Sequence, residues 1–136
     1  MRLFNIIKNL SEVKTQTWTP TFNWSSGGTA PTVSNIVCYI DTIGNLCCFR
    51  GRFNITNLNT PSTSGNLTLS IPFRIKDGSV ATIGELQQNN LGITAGLFFR
   101  TYGVSEFHIV AHAGGGYSSP VLKTGYYAFS FFWFKE

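Results

Sequence analysis

The segment "GYYAFSFFWF", Gly125 to Phe134, limits the fold more than any other part of the chain. It is far shorter than the roughly 20 apolar residues that cross a bilayer as a helix. As a strand, it places Tyr127, Phe129, Phe131 and Trp133 on one face and Tyr126, Ala128, Phe132 and Phe134 on the other. In a two-layer β protein one face of each strand meets the core and the other meets water. Here both faces are aromatic, so the second needs a cover of its own, because an exposed row of that size invites aggregation. A neighbouring subunit is the expected cover, with Tyr126, Phe132 and Phe134 as its contacts. A loop or helix of the same chain is the alternative.

The composition agrees with a covered surface. Charged residues make up only 12% of the 136 residues, against about 25% in an average soluble domain. Twelve Phe bring the aromatic share to 15%, and the abundance of Gly, Ser, Thr and Asn beside them is β-rich usage. The length suits one domain with a real core. Net charge is +4, from six acids against ten bases. Arg50 and Arg52 form a close basic pair but no run of Lys/Arg exists, so nucleic acid is not an expected partner, while polyanionic sugars stay open. Cys38, Cys47 and Cys48 show no metal-ligand spacing and are expected as free thiols, with no metal and no cofactor. Neither a signal peptide nor membrane insertion is expected.

One stretch has helical spacing. Leu3, Ile6, Ile7, Leu10 and Val13 share a face over Met1–Val13, opposite Lys8, Asn9 and Glu12. Residues 1–16 are therefore expected to dock or trimerise the protein, and 17–136 to form one β domain. From Trp18 onward the pattern is β. "VSNIVCYID" and "LCCFRGRFNIT" flank a turn at Gly44-Asn45, with Cys47, Phe49, Phe53 and Ile55 facing inward. "LTLSIPF" turns Leu67, Leu69, Ile71 and Phe73 inward. "SVATIGEL", "GITAGLFFRTY" and "SEFHIVAHA" are further strands, with "QQNN" and "GGGYSSP" as loops between elements. About eight short strands predict an all-β, jelly-roll-like sandwich.

Three motifs in order carry a resemblance: "TWTPTF" at Thr17–Phe22, "YIDTIGNLCCFRGRFNIT" at Tyr39–Thr56 and "GNLTLSIPF" at Gly65–Phe73. They resemble the C-terminal domain of bacteriophage tail-fibre and head-fibre proteins, with "IPF" where that family has "LPF". The resemblance implies a homotrimeric β-sandwich knob on a virion, made in the host cytoplasm and bound to other virion proteins. Such domains usually end a longer fibre, whereas almost no stalk precedes Trp18 here. The expected function is attachment to a host-surface receptor, a glycan; capsid decoration or a tail-tip role is the alternative.

Residues suited to a sugar sit in the loops: Gln87, Gln88, Asn89, Asn90, Tyr117 and Ser118 offer amides, a hydroxyl and a stacking ring. No enzyme is expected. The six carboxylates form no pair typical of glycan cleavage, Ser118 and Ser119 lack a nucleophile elbow, and "AGGGYSS" lacks the lysine of a phosphate-binding loop. Glu106, His108 and His112 share a strand face. However, residues four apart on a strand are about 13 Å apart, too far for one ion.

Overall fold

The computed structural model describes residues 12–60, 65–77, 85–88, 97–113, 116–118 and 122–136. These hold ten strands: β1 (Lys14–Trp18), β2 (Phe22–Trp24), β3 (Thr32–Ile43), β4 (Leu46–Asn57), β5 (Leu67–Ser70), β6 (Glu85–Gln88), β7 (Leu97–Thr101), β8 (Glu106–Ala113), β9 (Gly116–Ser118) and β10 (Gly125–Phe134). They form two antiparallel sheets. Sheet A runs β1-β3-β4-β10-β6; sheet B runs β2-β5-β8-β7, with β9 on β8. The all-β, two-sheet architecture is as expected.

The long β3–β4 hairpin organises sheet A. Gly44 takes the positive φ of 58° that its two-residue turn requires, and Ile43 pairs with Leu46 across it. Cys47, Phe49, Phe53 and Ile55 point into the core, as their spacing predicts. A register shift between Ser34 and Val37 bulges β3. Asn35 sits in that bulge at a φ of 52°, and its Nδ2 donates to Tyr126 Oη at 3.2 Å.

The core between the sheets is a block of rings. Phe131 stacks on Phe99 at 4.3 Å and on Phe49 at 5.2 Å; Phe53 stacks on Tyr127 at 5.2 Å. Tyr127 is fully buried, and its hydroxyl donates to Lys123 O at 2.6 Å. Two indoles stitch the open side. Trp18 Nε1 donates to Ser70 O at 2.9 Å, joining β1 of sheet A to β5 of sheet B, and Trp24 Nε1 donates to Leu58 O at 3.2 Å. Each such bond contributes about 1 kcal/mol net and leaves no buried donor unpaired.

The sandwich has two distinct poles. At the base, Lys14 lies opposite Thr42, the Gly44-Asn45 turn closes the hairpin, and Phe134 lies opposite Leu46. Sheet B meets this pole where Phe107 packs edge-on to Trp133 at 6.1 Å, and 104 and 134 flank the Ile75–Lys76 strap by backbone hydrogen bonds. At the apex lie Asn54 opposite Tyr126 and Tyr127 opposite Gln88 in sheet A. Sheet B ends there with Leu97 opposite Ala111 and Ala113 opposite Gly116.

Several expectations need correction. No helix occurs among the described residues. The expected helix over Met1–Val13 falls almost wholly outside them; Glu12 and Val13 are not helical. Lys14–Trp18 is a strand across the 16/17 boundary, because β3 offers it a free edge that propensity alone does not reveal. Gln87 and Gln88 belong to β6, not to a loop, since β10 has an edge for them to pair with. Tyr117 and Ser118 likewise pair with His112 and Ala111 as β9. On sheet B, Thr68, His108 and Val110 alternate with the core residues yet are buried, at 3%, 6% and 1% exposure, so that outer face is not a plain solvent face.

Candidate functional site

The outer face of sheet A carries the expected subunit contacts. Alternation and pairing put one row across Thr15, Asp41, Cys48 and Phe132. The row below runs across Ile43, Leu46 and Phe134, and the row above across Tyr39, Arg50 and Ser130. Toward the apex come Val37, Arg52 and Ala128, then Asn54 and Tyr126. Tyr126, Phe132 and Phe134 are 49%, 59% and 56% exposed. The other face of β10 is core, so the strand is two-sided as its sequence demands.

The polar middle of this face is self-satisfied. Arg50 Nε donates to Asp41 Oδ2 at 2.6 Å, Thr15 Oγ1 donates to Asp41 Oδ1 at 2.7 Å, and the Arg50 guanidinium lies 4.7 Å over the Tyr39 ring. Hydrogen bonds from Arg50, then from Thr15, hold the Asp41 carboxyl below its ordinary range. No local pattern announces this network, because Thr15, Asp41 and Arg50 meet only through the β1-β3-β4 register.

The expected ligand residues gather at one pole. Gln87 and Gln88 end β6 at the apex, and Tyr117 and Ser118 sit on β9 beside the end of β8. Asn89 and Asn90 lie outside the described residues. So do the docking residues Leu3, Ile6, Ile7 and Leu10; Val13, at the base, is 53% exposed.

On the outer face of sheet B, His108 is buried, at 6% exposure. Its Nε2 lies 2.8 Å from Glu106 Oε1, its ring packs on Tyr102 at 4.6 Å, and the Arg100 guanidinium lies 4.6 Å over the Tyr102 ring. With Nε2–H donated to the carboxylate, Nδ1 is left buried and unpaired, a cost of about 1–3 kcal/mol. Among the described residues no three of His, Cys, Asp and Glu gather as metal ligands. Cys38, Cys47 and Cys48 are free thiols, the first two buried and Cys48 half-buried on the outer face of sheet A. Burial pushes the Cys38 thiol up to about 11.

A cleft of about 150 Å³ lies between β1 and the end of β5, lined by Thr17, Trp18, Thr19, Ser70, Ile71 and Pro72. Its indole is buried, at 3% exposure, so it offers no stacking platform for a sugar. Comparison with protein-family models, with curated proteins and with solved structures finds no significant match for this chain.

Proposed function

We propose that the protein is a structural subunit of a bacteriophage virion: a jelly-roll-like knob that assembles as a homotrimer, docks through its N-terminal segment and presents its apex to a host-surface glycan. One observation carries the reading, the division of labour between the two poles. The chain enters at the base. Gln87 and Gln88 of β6 pair with Ala128 and Tyr127 at the apex, and Tyr117 and Ser118 of β9 pair with His112 and Ala111 at the same pole. The outer aromatic row of β10 supplies the contact between copies, with Tyr126, Phe132 and Phe134 facing the neighbour. The motifs shared with fibre C-terminal domains support the same assignment. Single weak sugar contacts gain strength from three copies per knob and many knobs per particle. Tyr117 is the stacking ring in this reading, worth on the order of 1 kcal/mol per site.

The test is adsorption. Tyr117→Ala should keep the oligomer and its Tm while lowering adsorption of particles to host cells. Unchanged adsorption with intact folding removes the β8–β9 turn as the contact. A particle lacking the whole protein that still adsorbs normally removes receptor binding altogether and leaves a decoration role.

A further inference from the structure

A trimer that closes on itself is built from a heterologous contact, in which each copy gives one surface and receives with another. The giving surface proposed above is the outer row of β10, where Phe132 is 59% exposed. The receiving surface has to lie elsewhere on the same chain. The cleft between β1 and the end of β5 is three strand spacings from β10 across sheet A, about 14 Å at ~4.8 Å each. Its volume is about 150 Å³, and an apolar cavity of about that size takes one benzene ring. Trp18, Ile71 and Pro72 give it an apolar lining. Polar groups in its wall are already engaged: Trp18 Nε1 donates to Ser70 O at 2.9 Å, and Ser70 Oγ accepts from Thr21 N at 2.7 Å. An aromatic ring therefore enters without stripping these groups of their partners.

The cleft and the ring also stand at similar heights between base and apex. Thr17, Tyr39, Arg50 and Ser130 make one row across sheet A. Phe132 lies two residues nearer the base, about 7 Å. From Thr17 and Trp18 the cleft reaches the same way. Ser70 pairs with Glu106 and Ile71 N bonds to Ser105 O, in the half of sheet B that meets the base. A neighbour turned about an axis parallel to the strands thus brings its cleft to Phe132 with little slide along that axis. A slide would open the contact into a filament, and its absence closes a ring. We infer that Phe132 of each copy seats in the Trp18–Ile71–Pro72 cleft of the next, head to tail around the trimer. This docking rests on the trimer proposed above and names the surface that receives its contact row. Tyr126 and Phe134 then lie above and below the seated ring, against the same neighbour.

A native thiol reads the contact. Cys48 pairs with Phe132 across β4 and β10 and is half-buried on the outer face, while Cys38 and Cys47 are buried. Within one chain Cys48 and the cleft are kept apart, because β4 is two strands from β1 and Cys48 faces away from sheet B. In the full-length Pro72→Cys variant, a short bis-maleimide should link residue 72 of one copy to Cys48 of the next. Each copy then carries one thiol on the giving side and one on the receiving side, so the denatured product should be a ladder of covalent dimers and trimers. Its rate should not fall on dilution while light scattering still reads a trimer. Cys48→Ser should abolish the ladder, and the parent protein should give none. Thr19→Cys, exposed at the rim, serves the same readout should Pro72→Cys not fold. A ladder that stops at dimers, or a link between two copies of Cys48 in the parent, would make the contact isologous and overturn the docking. So would a trimer by light scattering that gives no link from either position; the trimer would then stand with another receiving surface. A monomer by light scattering removes the trimer itself, and the docking with it.

Discussion

Replacing Gly51 by alanine sets two effects of opposite sign against each other. Glycine inside a strand costs about 0.5–1 kcal/mol relative to alanine, so backbone entropy alone predicts that Gly51→Ala stabilises the protein. The structure predicts the reverse. Gly51 pairs with Cys38 on one side and Phe129 on the other, and its position on β4 faces the core between Phe49 and Phe53. A Cβ there would lie 2.5 Å from Cys38 Sγ, 2.7 Å from Cys38 Cα and 2.7 Å from Val37 O. Overpacking of this kind costs about 1–3 kcal/mol. Two of the three contacts are with the backbone of β3, which its ladders to β1 and β4 hold on both sides. Contacts this far under 3 Å put the clash at the upper end of that range, so it outweighs the entropy gain, for a net loss of about 2 kcal/mol. Urea unfolding, followed by tryptophan fluorescence, gives the number. Cys38→Ala should not rescue it, since trimming the sulfur leaves the backbone contacts in place. A Gly51→Ala protein more stable than the parent, or a double variant restored to parental stability, would refute the reasoning.

Phe132→Ser with Phe134→Ser should convert a trimer to monomers by light scattering and change the stability of the single chain by less than about 0.5 kcal/mol per site, as for other exposed positions; an unchanged mass removes β10 as the contact. Asp41→Asn should lower stability near neutral pH and make no difference in strong acid. The folded-state carboxyl is held below its unfolded value, so its contribution is present above about pH 4 and is lost as the pH falls through the folded value; equal stability of the two proteins in urea across the whole range would contradict this. Cys48 should react with a thiol reagent in the native protein well before Cys38, whose thiol burial pushes up to about 11, and all three should react in denaturant without reductant. Fewer than three would reveal a disulfide.

The hairpin of β3 and β4 was legible because its signals are local: a Gly-Asn turn, and inward residues at period two on Cys47, Phe49, Phe53 and Ile55. The two-sidedness of β10 was legible for the same reason. Lys14–Trp18 was not, because "KTQTW" has no apolar period and becomes a strand only through the edge that β3 offers it. The Gln87-Gln88 and Tyr117-Ser118 pairs looked like loops by composition, and pairing with β10 and β8 overrode that. Alternation also failed at Thr68, His108 and Val110, where both faces of sheet B are covered and period two carries no information. The Thr15–Asp41–Arg50–Tyr39 network depends on three strands in register, which no single stretch of sequence encodes. The apex grouping of β6 and the β8–β9 turn is in the same way a product of topology.

The two poles decide how the sandwich carries load. β1 enters at the base, and the proposed contact residues lie at the apex, so a pull between tether and contact runs parallel to the strands. The register from Lys14 opposite Thr42 to Trp18 opposite Cys38 is then loaded along its length in shear. All of its rungs resist together, whereas a pull across the sheet would break them one after another like a zip. The Trp18 indole at the far end of that strand, bonded to Ser70 O, passes part of the tension into sheet B. A domain so arranged yields late and all at once along the strand axis and peels readily across it, a directional strength that single-molecule pulling from residue 12 and from an apex residue can measure against pulling across β1 and β3.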